Sequence, residues 1–189
     1  MTHANSDSFP NDFPNDLPND EVTADEAVTR QQLIATAYHE AGHAVMAVSL
    51  GRTIQKVSIA PGKSRFGASR LGHCEIKKGV KKGSHDRLED DVLILLAGMV
   101  AEAKLTGQYC QQGAGQDLRD VANLLCTRAA SPRQHETLQR RMLSKTEHLL
   151  GDDVHVEAIR EIAQELLAKT TISGRLVRHY FHQAQQRKR

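Results

Sequence analysis

The chain contains no tryptophan and only 4% aromatic residues, so it offers few rings for stacking on nucleic-acid bases. Its three cysteines, Cys74, Cys110 and Cys126, form an odd set without a Cys-x-x-Cys pair. That pattern argues against a disulfide framework and against a cysteine zinc knuckle, and the thiols are expected to be reduced packing residues. Long hydrophobic runs are also missing: the longest, Val92 to Ala101, is ten residues and includes Gly98. A bilayer-crossing helix needs about 20. No basic stretch followed by an apolar one opens the chain, so the secretory-signal pattern is absent. These absences lead to the expectation of a soluble, cytoplasmic protein without a membrane span.

Charge is unevenly spread. Residues 1–30 carry seven acids and one arginine, net −6, which leaves the remainder at net +8. No Lys/Arg run exceeds three, and nucleic-acid binding is not expected. The Arg187-Lys188-Arg189 ending reads as a solvated tail. A length of 189 residues fits one folded domain with one core.

Phe9-Pro10-Asn11-Asp12, Phe13-Pro14-Asn15-Asp16 and Leu17-Pro18-Asn19-Asp20 repeat one apolar residue followed by turn formers. Proline removes backbone donors and Asn-Asp favours local turns, so residues 1–29 are expected to be a disordered acidic extension. A repeated docking peptide is the functional alternative. From Glu26 to Leu50 the pattern reads as a helix closed by Gly51, and Glu40 is the only formally charged residue between Gln31 and Gly51. That helix should be buried nearly all round. Ile54 to Ala60 and Leu71 to Ile76 read as strands, with a turn at Pro61-Gly62. Ser84 is placed to cap a helix running to Thr106, with Asp86 in its first turn and Gly107 after its end. A glycine-rich loop, residues 111–116, leads to a helix from Asp117 to Ala130, broken by Pro132. Further helices are expected at Glu136–Leu149, Val154–Lys169 and Gly174–Gln185. The fold class is mainly α with a small β-sheet (α+β).

The chemistry-bearing pattern is His39-Glu40-Ala41-Gly42-His43. Histidines at i and i+4 share one helical face and can hold one metal, while the adjacent glutamate reaches a water on that metal. Two histidines and a glutamate in an apolar helix with no nearby Lys or Arg are costly to bury unless a cation satisfies them. A pair of hydrogen-bonded core histidines is the bland alternative. A catalytic zinc usually takes three protein ligands, and the third is sought among Asp117, Glu102, Asp86 and Cys110. Asp117 is favoured because a helix N-terminus stabilises an ionised carboxylate.

Tyr38-His39-Glu40-Ala41-Gly42-His43-Ala44, Lys56-Val57-Ser58-Ile59, Leu71-Gly72, Leu95-Leu96-Ala97-Gly98 with Ala101-Glu102, and Gly113-Ala114-Gly115-Gln116-Asp117-Leu118 occur in this order. In that order they resemble the peptidase domain of FtsH-type ATP-dependent zinc metalloproteases. Leu166 to Gly174 is similar to that domain's closing helix-turn-helix. The resemblance implies an Asp-type zincin over residues 30–186. His39, His43 and Asp117 would hold Zn2+, and Glu40 would be the general base. Leu71, Gly72, His73, Cys74 and Glu75 would form the edge strand on which substrate backbone pairs. No oxyanion donor is assigned: His73 and His85 are candidates, with a solvated or structural role the first expectation for each. The family's Gly-Gly-Arg stretch reads Ala97-Gly98-Met99 here, and its AAA+ ATPase and membrane helices are not found in these residues. Pro61-Gly62-Lys63-Ser64 is no phosphate loop, because Val57 stands where the pattern needs glycine.

The expected activity is therefore zinc-dependent endopeptidase cleavage of unfolded proteins or peptides by a Glu40-activated water. A separate AAA+ ATPase and a homo-oligomer are the partners that this reading brings. The alternative is a non-proteolytic metal-binding scaffold or regulator that docks onto an AAA+ ATPase or a full-length FtsH-type protease.

Overall fold

Helix α1 (Ala24–Ser49) is followed by strands β1 (Ile54–Lys63) and β2 (Ser69–Ile76), then by helices α2 (Arg87–Thr106), α3 (Gly115–Cys126), α4 (Pro132–Leu150) and α5 (Asp153–Lys169). Strand β3 (Thr171–Ser173) and helix α6 (Gly174–Arg187) complete the order. This computed structural model describes residues 24–63, 69–77, 86–110 and 113–188. The architecture is the expected α+β one, with one three-stranded antiparallel sheet in the order β2-β1-β3. Among the described residues, no helix is long and apolar enough to cross a membrane. The Phe-Pro-Asn-Asp repeat, Ser84 and His85 lie outside the described residues.

Helix α1 is buried on every side from Ala37 to Ala47 because α2, α5 and the sheet surround it. Small residues permit the α1/α2 approach: a Cβ added at Gly42 would lie 2.5 Å from the Ala97 carbonyl oxygen and 2.6 Å from Ala101 Cβ. Helix α2 carries two separate apolar faces. Leu93, Ile94, Ala97, Val100 and Ala101 join the main core with α1, β1, α5 and α6, while Val92, Leu96 and Met99 pack with Val121, Leu125 and Met142 of α3 and α4. That double duty explains a ten-residue apolar run too short to span a bilayer.

Several local expectations need correction. Pro61-Gly62 is not the turn: β1 continues through Lys63, with Pro61 opposite Leu71 and Gly62 opposite Arg70. A bulge absorbs the proline, since Ile59 and Ala60 both stand opposite Gly72. The cap of α2 is Asp86 itself, whose carboxylate accepts from the Glu89 backbone N–H at 3.0 Å. Pro132 starts a helix rather than breaking one: Ser131 caps α4 and Pro132 occupies its first turn, where a missing N–H costs nothing. Helix α3 ends earlier than expected, at Cys126.

The segment after Leu166 contains a strand that the sequence pattern did not reveal. Ile172 of β3 pairs with Val57 of β1, which ties the α5/α6 corner to the sheet. Cys74 packs against the core, but Cys110 and Cys126 are exposed, so the packing role expected for them does not hold; none of the three is disulfide-bonded. The basic ending is not simply solvated either. Arg187 pairs with Glu157 and Glu161, and Lys188 with Asp152 and Asp153, fastening the end of α6 to α5.

Candidate metal centre

His39 and His43 stand one turn apart on α1, both buried, with ring centroids 4.7 Å apart. Asp117 enters from the first turn of α3, where the helix amides favour a carboxylate. Its Oδ2 lies 3.1 Å from His39 Nε2 and 3.3 Å from His43 Nε2. One ligand atom from each residue falls within 4.8 Å of the others. Among the described residues no other group of three His, Cys, Asp or Glu side chains converges in this way.

The opposite side of each ring is held. His43 Nδ1 donates to the Ile94 carbonyl at 2.7 Å, and His39 Nδ1 to Glu102 Oε2 at 3.2 Å. A carbonyl only accepts, so Nδ1 of His43 is the donor in that bond and Nε2 is the ring nitrogen turned toward Asp117. His43 Nε2 is buried without a hydrogen bond. Two imidazole nitrogens and a carboxylate oxygen, each ring steadied by an acceptor at its far nitrogen, are a donor set that would suit a divalent metal such as zinc.

The other third-ligand candidates are engaged elsewhere. Glu102, on α2, meets the far nitrogen of His39. Asp86 caps α2 and accepts from Arg128 at 2.7 Å. Cys110 is exposed and outside the converging group.

The electrostatics of the group follow from its neighbouring acids and imidazoles. Burial opposes charge on His39, yet hydrogen bonds to Asp117 and Glu102, with Glu40 nearby, raise its pKa to about 9. Burial likewise opposes charge on Asp117, and its close contacts with the His39 and His43 imidazoles overcome it, holding the carboxyl well below the usual range.

Glu40 is buried beside His39 and faces β2. Gly72 lies against it, with its own φ at +83°, and the bulge opposite bends the strand there. Of the expected substrate-strand residues, Leu71 pairs with Pro61, Gly72 is buried, and His73, Cys74 and Glu75 are half-buried. As the outer strand of the sheet, β2 has no strand partner on its far side among the described residues.

Sequence reasoning missed the contact of Glu102 with His39 Nδ1 and the closeness of Gly98 to the group. The available signals were a lone acid in an apolar helix and a glycine inside a helical pattern, which costs about 1 kcal/mol relative to alanine unless packing requires it.

A mainly helical α+β fold that carries His-Glu-x-x-His on a buried helix, faced by an aspartate from another helix N-terminus, is that of a metallopeptidase-type domain. The chain belongs to peptidase family M41, whose model matches residues 26–131. It is 35% identical over 97 residues to the ATP-dependent zinc metalloprotease FtsH 2 of Methylacidiphilum infernorum (isolate V4), covering 50% of this chain and 14% of that protein. To the ATP-dependent zinc metalloprotease FtsH of Marinobacter nauticus it is 31% identical over 103 residues, 53% of this chain and 16% of the relative. FtsH 4 of Sorangium cellulosum, another ATP-dependent zinc metalloprotease, is 32% identical over 100 residues, 51% and 15%. The chain thus spans only about a seventh of the length of these curated relatives.

Proposed function

We propose that the chain is a zinc-dependent endopeptidase that cleaves unfolded proteins or peptides. His39, His43 and Asp117 are the zinc ligands and Glu40 the general base in this reading. The observation that carries it is the buried convergence of the two Nε2 atoms with Asp117 Oδ2, both rings being held at Nδ1 by other acceptors.

Zinc, when bound, supplies Lewis-acid polarisation of the peptide carbonyl and acidifies the attacking water. Glu40 accepts that water's proton and returns it to the leaving amine nitrogen. Glu102 holds His39 in the orientation that keeps Nε2 toward Asp117 and free of other partners for a bound metal. Gly72 to Glu75 offer outer-strand backbone beside Glu40, so an extended substrate adds to the sheet through main-chain hydrogen bonds, with little demand on its sequence. Extended pairing excludes folded substrates, which is why we add that a separate AAA+ ATPase delivers unfolded chain. Residues 30–186 act as one unit in this proposal, supported by the core that α5, β3 and α6 share with α1 and β1. A cytoplasmic setting, which keeps the thiols reduced, and self-association belong to the same proposal.

The test is zinc content and cleavage of unfolded casein without ATP, comparing wild type with Glu40→Gln. Equal zinc with cleavage lost only in the variant is the expected result. Zinc in both with cleavage in neither, even with an ATPase added, would favour the scaffold alternative.

A further inference from the structure

Gly98 sits in the middle of α2, a position where alanine would be the better helix former, and its φ lies outside the region reserved for glycine. Nothing in the backbone therefore asks for glycine there. The surroundings do. A Cβ at position 98 would lie 2.5 Å from His43 Nε2, 2.6 Å from His39 Nε2 and 2.7 Å from His39 Cδ2. The three nearest atoms all belong to the two imidazoles, and two of them are the nitrogens that converge with Asp117.

The rings have little freedom to retreat. His43 is tied at Nδ1 to the Ile94 carbonyl and His39 at Nδ1 to Glu102, and both acceptors belong to α2, the helix that carries residue 98. A methyl group at 98 would push each ring away from the same helix that anchors its far nitrogen. We infer that Gly98 is a positioning residue for the metal: the missing side chain is what lets both Nε2 atoms converge with the Asp117 carboxylate. The inference rests on the zinc reading above and deepens it by naming the residue that sets the ligand geometry.

Two measurements test it. Zinc affinity, read by competition with a chromogenic chelator, should fall about 10- to 100-fold in Gly98→Ala, the range seen when support for metal-bound histidines is disturbed. The cobalt-substituted variant should show an altered ligand-field spectrum. Metal-free melting temperatures form the second measurement, with Gly98→Ala introduced both into wild type and into His39→Ala/His43→Ala. Gly98→Ala should lower the melting temperature with the imidazoles present and leave it unchanged or raise it once they are gone. Should Gly98→Ala alone fail to fold, recovery of folding in the imidazole-free background supports the inference and continued failure overturns it. Unchanged zinc affinity and cobalt spectrum, or the same melting loss in both backgrounds, would overturn it while leaving the zinc reading intact. A wild-type chain that takes up no zinc would overturn the zinc reading, and the positioning role with it.

Discussion

Gly72 of β2 lies directly against the Glu40 carboxylate: a Cβ at position 72 would sit 2.7 Å from Oε1 and 2.8 Å from Cγ. The contact joins the outer strand to the proposed general base, so strand position and base position move together. Gly72→Ala adds a methyl at a φ of +83°, where an L side chain is strained by about 1–2 kcal/mol, and drives it into the carboxylate. Turnover should fall at least about tenfold, the effect of 1.4 kcal/mol on a barrier, while zinc stoichiometry stays at the wild-type value. Steady-state kinetics with zinc analysis checks this. Lost zinc with intact turnover per bound zinc would contradict it.

Glu102 and Asp117 both touch His39, at opposite nitrogens, and their substitutions should separate accordingly. Asp117→Ala removes a proposed ligand and should abolish tight zinc binding. Glu102→Ala leaves the ligand set but frees the ring, so affinity should drop about 10- to 100-fold. Chelator competition on the two variants decides it, and the reverse ranking would reassign the third ligand to Glu102.

Much of this was legible from the chain because it is local. His39 and His43 are one helical turn apart, Asp117 follows a glycine-rich loop at a helix start, and apolar periodicity gave most helices. Features that depend on residues distant in sequence were not legible. Pro61-Gly62 looks like a turn until the bulge opposite Gly72 absorbs it. Three residues, Thr171 to Ser173, carry no readable strand pattern and become β3 only because β1 offers a free edge. Pro132 reads as a breaker or as a first-turn residue depending on whether Ser131 caps it. Gly72 and Gly98 act through a side chain they lack, against partners on another element.

The α1/α2 contact at Gly42 should be intolerant of size. A valine there would be driven into the Ala97 carbonyl and the Ala101 methyl, and overpacking of this kind typically costs about 1–3 kcal/mol. Gly42→Val should lower the urea midpoint with an unchanged slope, and because His43 is the next residue, it should weaken zinc binding as well. A midpoint equal to wild type would show that the two helices separate without penalty.

The pH dependence of the metal-free protein follows from the His39–Asp117 pair. His39 titrates near 9 when folded against 6.5 unfolded, so its stabilisation is complete below about 6.5 and is lost as pH rises through 9. The depressed Asp117 carboxyl, 3.8 when unperturbed, contributes stability above that value and loses it on acidification. These are two views of one interaction and count once, so the melting temperature should be highest between about pH 4 and 6.5 and decline on both sides. A protonated His39 also means that zinc must displace its Nε2 proton, so uptake at pH 7 should release close to one proton, read by calorimetry in buffers of different ionisation heat. Saturating zinc should then remove the alkaline decline, because the displaced proton no longer titrates between pH 7 and 9. His39→Asn should lose both the alkaline decline and the proton release; a variant that kept either would place the titrating group elsewhere.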